Sequence, residues 1–511
     1  MLYIAIAVLA GLAQAMSIAA PWDGQPQWWL QILSLAVLSW AVTHMADWKK
    51  AAALGWAFGT AWLAGTWWWL YISMHTYGGL AAPLAALAVL ALAAFLASYY
   101  ALAGAAMSAF ENGHRLIDAP LFAAVWLGAE LMRTTFFTGF PWGEGGYAHV
   151  DGPLAFLAPY VGVHGITFVA AYLACLLSQV TAHGAMRSKK YWILLFGAVG
   201  LLAACNLAGG PKEEASPLPR LSVALLQGNI PQDEKFEGGS GIPLALQWYG
   251  EQLRDSKASL TIAPETAIPV LQQQLPGGYY EALTQRFGQG GASGQAALVG
   301  IPLGNFRDGY TNSVMGLKPG ADPYRYDKHH LVPFGEFIPP LFKWFVRMMS
   351  IPLGDFNRGS LTQRPFTWQG QRLAPNICYE DLFGEELGVR FAQPEAAPTI
   401  FVNVSNLGWF RDSTAIDQHL QISRMRTLEF ERPMLRSTNT GATVIIDHRG
   451  RVTQSLPRLT RGVLAGEVEG RTTITPFAAW VSHLGLWPFW GLALAVTAFA
   501  AWRRRRMARA P

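Results

Sequence analysis

Long apolar runs fill the first 210 residues almost without interruption, and the pattern then changes. Seven of them approach the roughly 20 apolar residues a helix needs to cross a bilayer: 1–20, 28–45, 53–75, 80–107, 118–133, 156–182 and 191–209. From about 215 to 470 the apolar runs are short and alternate with amphipathic ones. An eighth long run, 478–502, precedes Arg503-Arg504-Arg505-Arg506. The pattern predicts a seven-helix transmembrane domain at 1–212, a globular domain at 213–472, and a C-terminal transmembrane helix with a basic tail at 473–511. The first run has no basic segment before it and leads straight into further runs. It is expected to stay as a helix and not to be cleaved as a signal peptide.

Within the globular part, 221–227, 258–263, 296–302, 313–317, 372–377, 399–404, 443–446 and 463–468 read as strands. Helical patterns occupy about 243–256, 278–288 and 415–431. Early alternation of strand and helix predicts a layered α/β domain. Asp447-His448-Arg449-Gly450 is a hairpin signal between two late strands.

Composition strengthens the membrane reading. The chain is 52% hydrophobic and 14% charged, and its 21 tryptophans suit interfacial belts better than a soluble core. Lys49 and Lys50, Arg115, Arg187 with Lys189 and Lys190, and the arginine run all fall on one side if the runs span in turn. Both termini are then cytoplasmic, and the globular domain faces the other side, the periplasm in a bacterium. The net charge of +5 owes much to the tail, so it reports orientation, and no nucleic-acid partner is expected. The Gly/Pro-rich loop Thr138 to Tyr147 is either an interfacial anchor or a re-entrant, substrate-lining segment. Its Glu144 is expected to meet protein or water, not lipid.

Candidate chemistry centres on Cys378. A strand-like run ends on it, the chain turns acidic, and a helix-like pattern follows at 383–392. A nucleophile on such a bend is exposed and close to backbone N–H groups. Cys175 and Cys205 lie inside apolar runs, so neither is placed to pair with it, and Cys378 is expected to be a free thiol. Glu265 follows the second strand, and Lys328 lies in Tyr326-Asp-Lys-His-His-Leu-Val-Pro-Phe-Gly-Glu336. A buried carboxylate can accept a thiol proton and a lysine can hold an acyl oxyanion, so the three make an acyl-transfer set. Singly, each has a plainer reading: a buried apolar thiol, a turn carboxylate, a surface lysine. Glu336 is similarly read as a surface or capping carboxylate. No P-loop, dinucleotide fingerprint or metal-type cluster appears, so no cofactor and no metal are expected.

Three contexts carry a resemblance: Ala-Pro-Glu265-Thr-Ala-Ile-Pro, Tyr-Asp-Lys328-His-His-Leu-Val-Pro-Phe-Gly-Glu336 and Asn-Ile-Cys378-Tyr-Glu380. They resemble the Glu-Lys-Cys signature of the nitrilase (carbon–nitrogen hydrolase) superfamily. With the eight runs, Gln227-Gly-Asn-Ile-Pro-Gln232, Phe140-Pro-Trp142 and Asn403-Val-Ser-Asn-Leu-Gly-Trp409-Phe410, the chain is similar from end to end to the apolipoprotein N-acyltransferase family. The resemblance implies a multi-span α-helical membrane domain plus a nitrilase-like α-β-β-α sandwich outside the cytoplasm of a bacterial inner membrane. It implies Glu265 as base, Lys328 as oxyanion holder and Cys378 as nucleophile. Glu336, Tyr379 and Glu380 would support them, and Trp142, Phe236, Asn406 and Trp409 would line the substrate path. Phe236 stands where the family carries a tryptophan, so an indole N–H donor is lost there. The implied reaction moves an acyl chain from a phospholipid, through a thioester, to the α-amine of a diacylated apolipoprotein, on a monomer in the bilayer. A membrane-tethered hydrolase using the same residues, a transporter and a non-catalytic binding protein remain as alternatives. The transporter reading suffers from the few ionisable residues in the runs, chiefly Glu130 and Arg133.

Overall fold

The computed structural model describes residues 1–179, 197, 200, 218–288, 294–339, 344 and 355–509. The chain divides into two units. One comprises Met1–Leu70, Pro83–Glu213 and Leu484–Pro511, and the other Tyr71–Ala82 and Glu214–His483.

The first unit is helical. Leu2–Ala15, Trp28–Thr43, Trp48–Thr66, Ala82–Phe110, Arg115–Thr135, Ala158–Ser178 and Trp487–Arg509 follow the apolar runs. The run 191–209 lies, apart from residues 197 and 200, outside the described residues. Among the described residues, Ala82–Phe110 and Ala155–Ser178 are by themselves long and apolar enough to cross a membrane. Two expected spans are broken. The 53–75 run stops at Thr66, where Trp67 donates its indole N–H to the Trp142 carbonyl at 3.0 Å; a short helix and a π-turn, Ser73–Tyr77, follow. The 478–502 run breaks between Leu484 and Trp487, with Gly485 at φ +53°. Local packing and one left-handed residue thus override hydropathy, which sees only composition.

Helices in this unit meet backbone to backbone. A Cβ on Gly55 would lie 2.2 Å from the Tyr100 carbonyl oxygen, the close approach that small residues allow in helix pairs. The loop from Pro141 to Val150 is wholly buried. Arg133 donates to the carbonyls of Phe140 and Trp142 at 2.8 and 2.9 Å, and Glu144 accepts from Thr134 at 2.5 Å. Glu144 therefore meets protein, as expected, and Arg133 supplies a positive charge beside it and Glu130.

Among the described residues the second unit holds twelve strands. The first six are β1 Leu221–Gln227, β2 Leu260–Ala263, β3 Ala296–Asn305, β4 Gly309–Leu317, β5 Tyr324–Asp327 and β6 Phe366–Trp368. The rest are β7 Gln371–Ile377, β8 Ile400–Ser405, β9 Met434–Thr438, β10 Val444–Ile446, β11 Val452–Ser455 and β12 Gly462–Val468. They form two six-stranded sheets, β12-β1-β2-β3-β4-β5 and β11-β10-β9-β8-β7-β6. Each has parallel central strands, β1-β2-β3 and β7-β8-β9, with antiparallel edges.

Central strands buried on both faces favour apolar runs; β1, β2, β3 and β8 are largely apolar, whereas β7 and β9 carry polar residues such as Asn376 and Arg436 that are buried. Val223, Leu225, Ile262, Leu298 and Val314 of one sheet meet Leu373, Ile377, Val402, Val404 and Leu435 of the other. Outside the first sheet lie helices Gly241–Asp255 and Tyr279–Phe287, packing Tyr249, Leu253 and Phe287 onto Leu226, Ala263 and Val299. Outside the second, Phe391 and Phe430 pack on Phe401. The layers run α-β-β-α.

The parallel arrangement brings the chain out of β2 into Glu265 and out of β7 into Cys378. Gly300 on β3 makes room for the first of these exits. A Cβ there would lie 2.1 Å from the Pro264 carbonyl oxygen and 2.8 Å from Glu265 Cα, both backbone. Gly300→Ala is expected to destabilise the domain by about 1–3 kcal/mol and to displace the Glu265 loop. Thermal unfolding of the purified protein checks the first effect, and an unchanged transition contradicts it.

Candidate active site

Four chain segments deliver carboxylates, an amine and a thiol to one place. Glu265, in the turn after β2, is 7% exposed. Its Oε2 accepts from the Asn406 backbone N–H at 2.9 Å, and its Oε1 accepts from Asn312 Nδ2 at 2.7 Å. The same Asn312 nitrogen donates to Glu336 Oε1 at 2.7 Å, so one amide spans the two carboxylates. Lys328 Nζ lies 2.9 Å from Glu336 Oε1 and 3.5 Å from Glu265 Oε1, at 1% exposure. Burial alone would push this amine toward neutrality. The charges of Glu336 and Glu265 more than reverse that, so the ammonium is held well above its usual range.

Cys378 sits on the bend after β7 with φ +51°, left-handed for a residue that carries a side chain. It opens a 3₁₀ turn, Cys378–Leu382, and the helical pattern expected at 383–392 follows as a short helix, Gly384–Gly388, and a second 3₁₀ turn, Val389–Phe391. Its thiol is pushed up to about 12, first by burial and next by the Glu265 charge, against the lowering effect of Lys328. At neutral pH the sulfur therefore rests protonated and needs a base.

The bend is pinned from beneath. His419 Nε2 lies 3.1 Å from the Cys378 carbonyl oxygen, and its Nδ1 lies 2.7 Å from Arg436 Nη2. Arginine only donates, so Nδ1 is the acceptor and Nε2–H donates to Cys378. Burial first, and then the Arg436 charge, hold this imidazole neutral, well below its ordinary range. Glu380 fixes the other side with four acceptor contacts: Ile377 N–H at 2.6 Å, Tyr326 O–H at 2.8 Å, and the His329 and His330 N–H groups at 2.7 and 3.3 Å. It ties the lysine loop to the cysteine bend.

The remaining expected residues fall in different places. Tyr379 is buried with its ring against His330 and Phe383. Asn406 is committed to protein: besides holding Glu265, it donates to Gln232 at 2.8 Å and accepts from Asn439 at 3.2 Å. Trp409 is half-buried, edge-on to Tyr77 at 5.8 Å, and Phe236 is 37% exposed. Trp142 belongs to the helical unit, buried at 3% exposure against Trp69. Asn312, His419, Arg436 and Lys235 escaped the sequence reading. Asn312 falls one residue before the expected strand 313–317, whereas β4 begins at Gly309, and that alternation was its only available signal.

Residues 222–475 match the family described as carbon–nitrogen hydrolase, and residues 10–176 match the apolipoprotein N-acyltransferase N-terminal domain. An apolipoprotein N-acyltransferase of Verminephrobacter eiseniae is 59% identical over 501 residues, covering 94% of this chain and 92% of the relative. One from Ralstonia nicotianae is 46% identical over 487 residues, covering 94% and 90%. The chain belongs to the apolipoprotein N-acyltransferase family.

Both layers of an apolipoprotein N-acyltransferase are therefore present, the helical half and the hydrolase-type sandwich. Asn312 is the unadvertised member of the sandwich's polar centre. Asn312→Ala removes the donor shared by two buried carboxylates and is expected to cost about 1–3 kcal/mol of stability. Chemical denaturation of the detergent-purified variant measures this; a loss below a few tenths would contradict the bridging role.

Proposed function

We propose that this protein transfers a fatty acyl chain from a membrane phospholipid to the N-terminal α-amine of the S-diacylglyceryl-cysteine of apolipoproteins, through a thioester on Cys378. The supporting observation is the convergence of Glu265, Glu336 and Lys328 on one buried centre whose charges act on Cys378, in a chain of this family. Glu265 accepts the Sγ proton, and the thiolate attacks the ester carbonyl. Lys328 holds the oxyanion. When Glu265 becomes neutral, Lys328 loses one of its two counter-charges, so its field is released toward the new anion. The lysophospholipid alkoxide leaves with the proton from Glu265. The free amine then attacks the thioester, Glu265 takes its proton, and collapse of the second tetrahedral intermediate expels the Cys378 thiolate, which is reprotonated. Glu336 keeps Lys328 in place, and Tyr379 and Glu380 keep the bend. Phe236 and Trp409 line the substrate path, Asn406 braces it through Glu265, and Trp142 braces the helical unit.

In the proposed arrangement residues 1–212 and 473–511 form an eight-span domain of the bacterial inner membrane, with both termini cytoplasmic. Residues 213–472 are the periplasmic catalytic domain. Both substrates are lipid-anchored, which explains a catalytic domain joined to so much apolar helix. One chain holds the complete residue set, so a monomer suffices.

With acyl-labelled phospholipid and a diacylated lipopeptide, the wild type is expected to give N-acylated lipopeptide. Cys378→Ala and Glu265→Gln should lose at least about a thousand-fold. Labelled free fatty acid without lipopeptide product would instead establish a tethered hydrolase. For topology, alkaline phosphatase fused at residue 470 should be active and at residue 511 inactive; the reverse pattern would overturn the orientation.

A further inference from the structure

A second lysine lies in the site and has no role in the scheme above. Lys235 follows Gln227-Gly-Asn-Ile-Pro-Gln232 and is 1% exposed. Its Nζ donates to the Glu265 backbone carbonyl at 3.2 Å, and its other contact is the Phe236 ring at 6.0 Å. Among the described residues it makes no ion pair, so two of its three N–H donors are unused. Lys328, by contrast, is committed to two carboxylates. An ammonium buried with one neutral acceptor is costly, and an anion arriving beside it repays that cost.

Charge counting indicates which anion. Glu265 and Glu336 carry two negative charges and Lys328 one positive, leaving one negative charge that Lys235 balances. When the Sγ–H bond breaks and the proton forms an O–H bond on Glu265, that negative charge moves to sulfur. Lys328 then still faces Glu336, whereas Lys235 has lost the Glu265 charge and has donors to spare. We propose that Lys235 is the counter-cation of the Cys378 thiolate, a positioning residue that eases ionisation of the sulfur and leaves Lys328 for the acyl oxyanion. This rests on the thioester reading. The other charged groups acting on Cys378 are Glu265, Lys328, Glu336 and Arg436, with neutral His419 on its carbonyl. Burial lowers Lys235 itself to about 7, while the charges of Glu265 and Cys378 favour its ammonium, consistent with mutual dependence.

The test is the pH profile of Cys378 alkylation by iodoacetamide, followed by intact mass on the full-length protein in detergent, with Cys378→Ala as the blank. In Lys235→Met the profile should move up by about one unit or more. Alkylation at a fixed neutral pH should then be about ten-fold slower. Lys235→Arg, which keeps the charge, should stay within about two-fold of wild type, and Lys235→Gln serves as the uncharged variant if Lys235→Met does not fold. A profile that superimposes on wild type while transfer activity falls would reduce Lys235 to a structural residue and overturn the proposal. So would Lys235→Arg behaving like Lys235→Met. If the profile shifts but the wild type never carries an acyl group, the counter-cation stands and the thioester reading fails.

Discussion

An ammonium buried between two carboxylates is the constraint on which this catalytic domain depends. Lys328 is essentially out of water, and so are Glu265 and Glu336. A charge so placed costs several kcal/mol unless its partners arrive in good geometry. Each partner comes from a different segment: the turn after β2, the middle of β4 through Asn312, and the loop that follows β5. The backbone N–H of Asn406, beyond β8, closes the fourth side. Folding both sheets together is thus inseparable from assembling the polar centre.

The cysteine bend shows the same logic with one buried carboxylate and one neutral imidazole. A left-handed residue beside the centre would be free to relax, and Glu380 and His419 prevent it from two sides. The fixed tautomer of His419 follows from Arg436, which can only donate. The result is a thiol held protonated until a neighbouring carboxylate accepts its proton. In the proposed cycle this restraint confines nucleophilicity to the moment when an ester carbonyl is in place.

Much of this was legible in the chain. The strands β1, β2, β3, β7 and β8 appear as apolar runs because both their faces are largely buried, β12 appears by alternation because its outer face is exposed, and the two strand-end residues Glu265 and Cys378 follow directly. β5, carrying Arg325 and Asp327, and the exposed β11 offer no such run, so their pairing is visible only in three dimensions. Hydropathy likewise places the helices but not the breaks at Trp67 and Gly485, which come from a tertiary hydrogen bond and a left-handed glycine. Asn406 shows the subtler limit. Its motif marks it as belonging to the site, yet its side chain is spent on Gln232 and Asn439, and its contribution to Glu265 comes through the backbone, which no sequence reports. Asn312 and Lys235 are single polar residues whose meaning depends wholly on what surrounds them.

The decisive measurement is the intact mass of the purified protein after incubation with phospholipid alone, in the absence of any acceptor. A thioester on Cys378 predicts an added mass of one fatty acyl chain, absent from Cys378→Ala and discharged on adding a diacylated lipopeptide. A wild-type protein that stays at its unmodified mass under conditions where it acylates lipopeptide would contradict the covalent route and leave Cys378 without its proposed part.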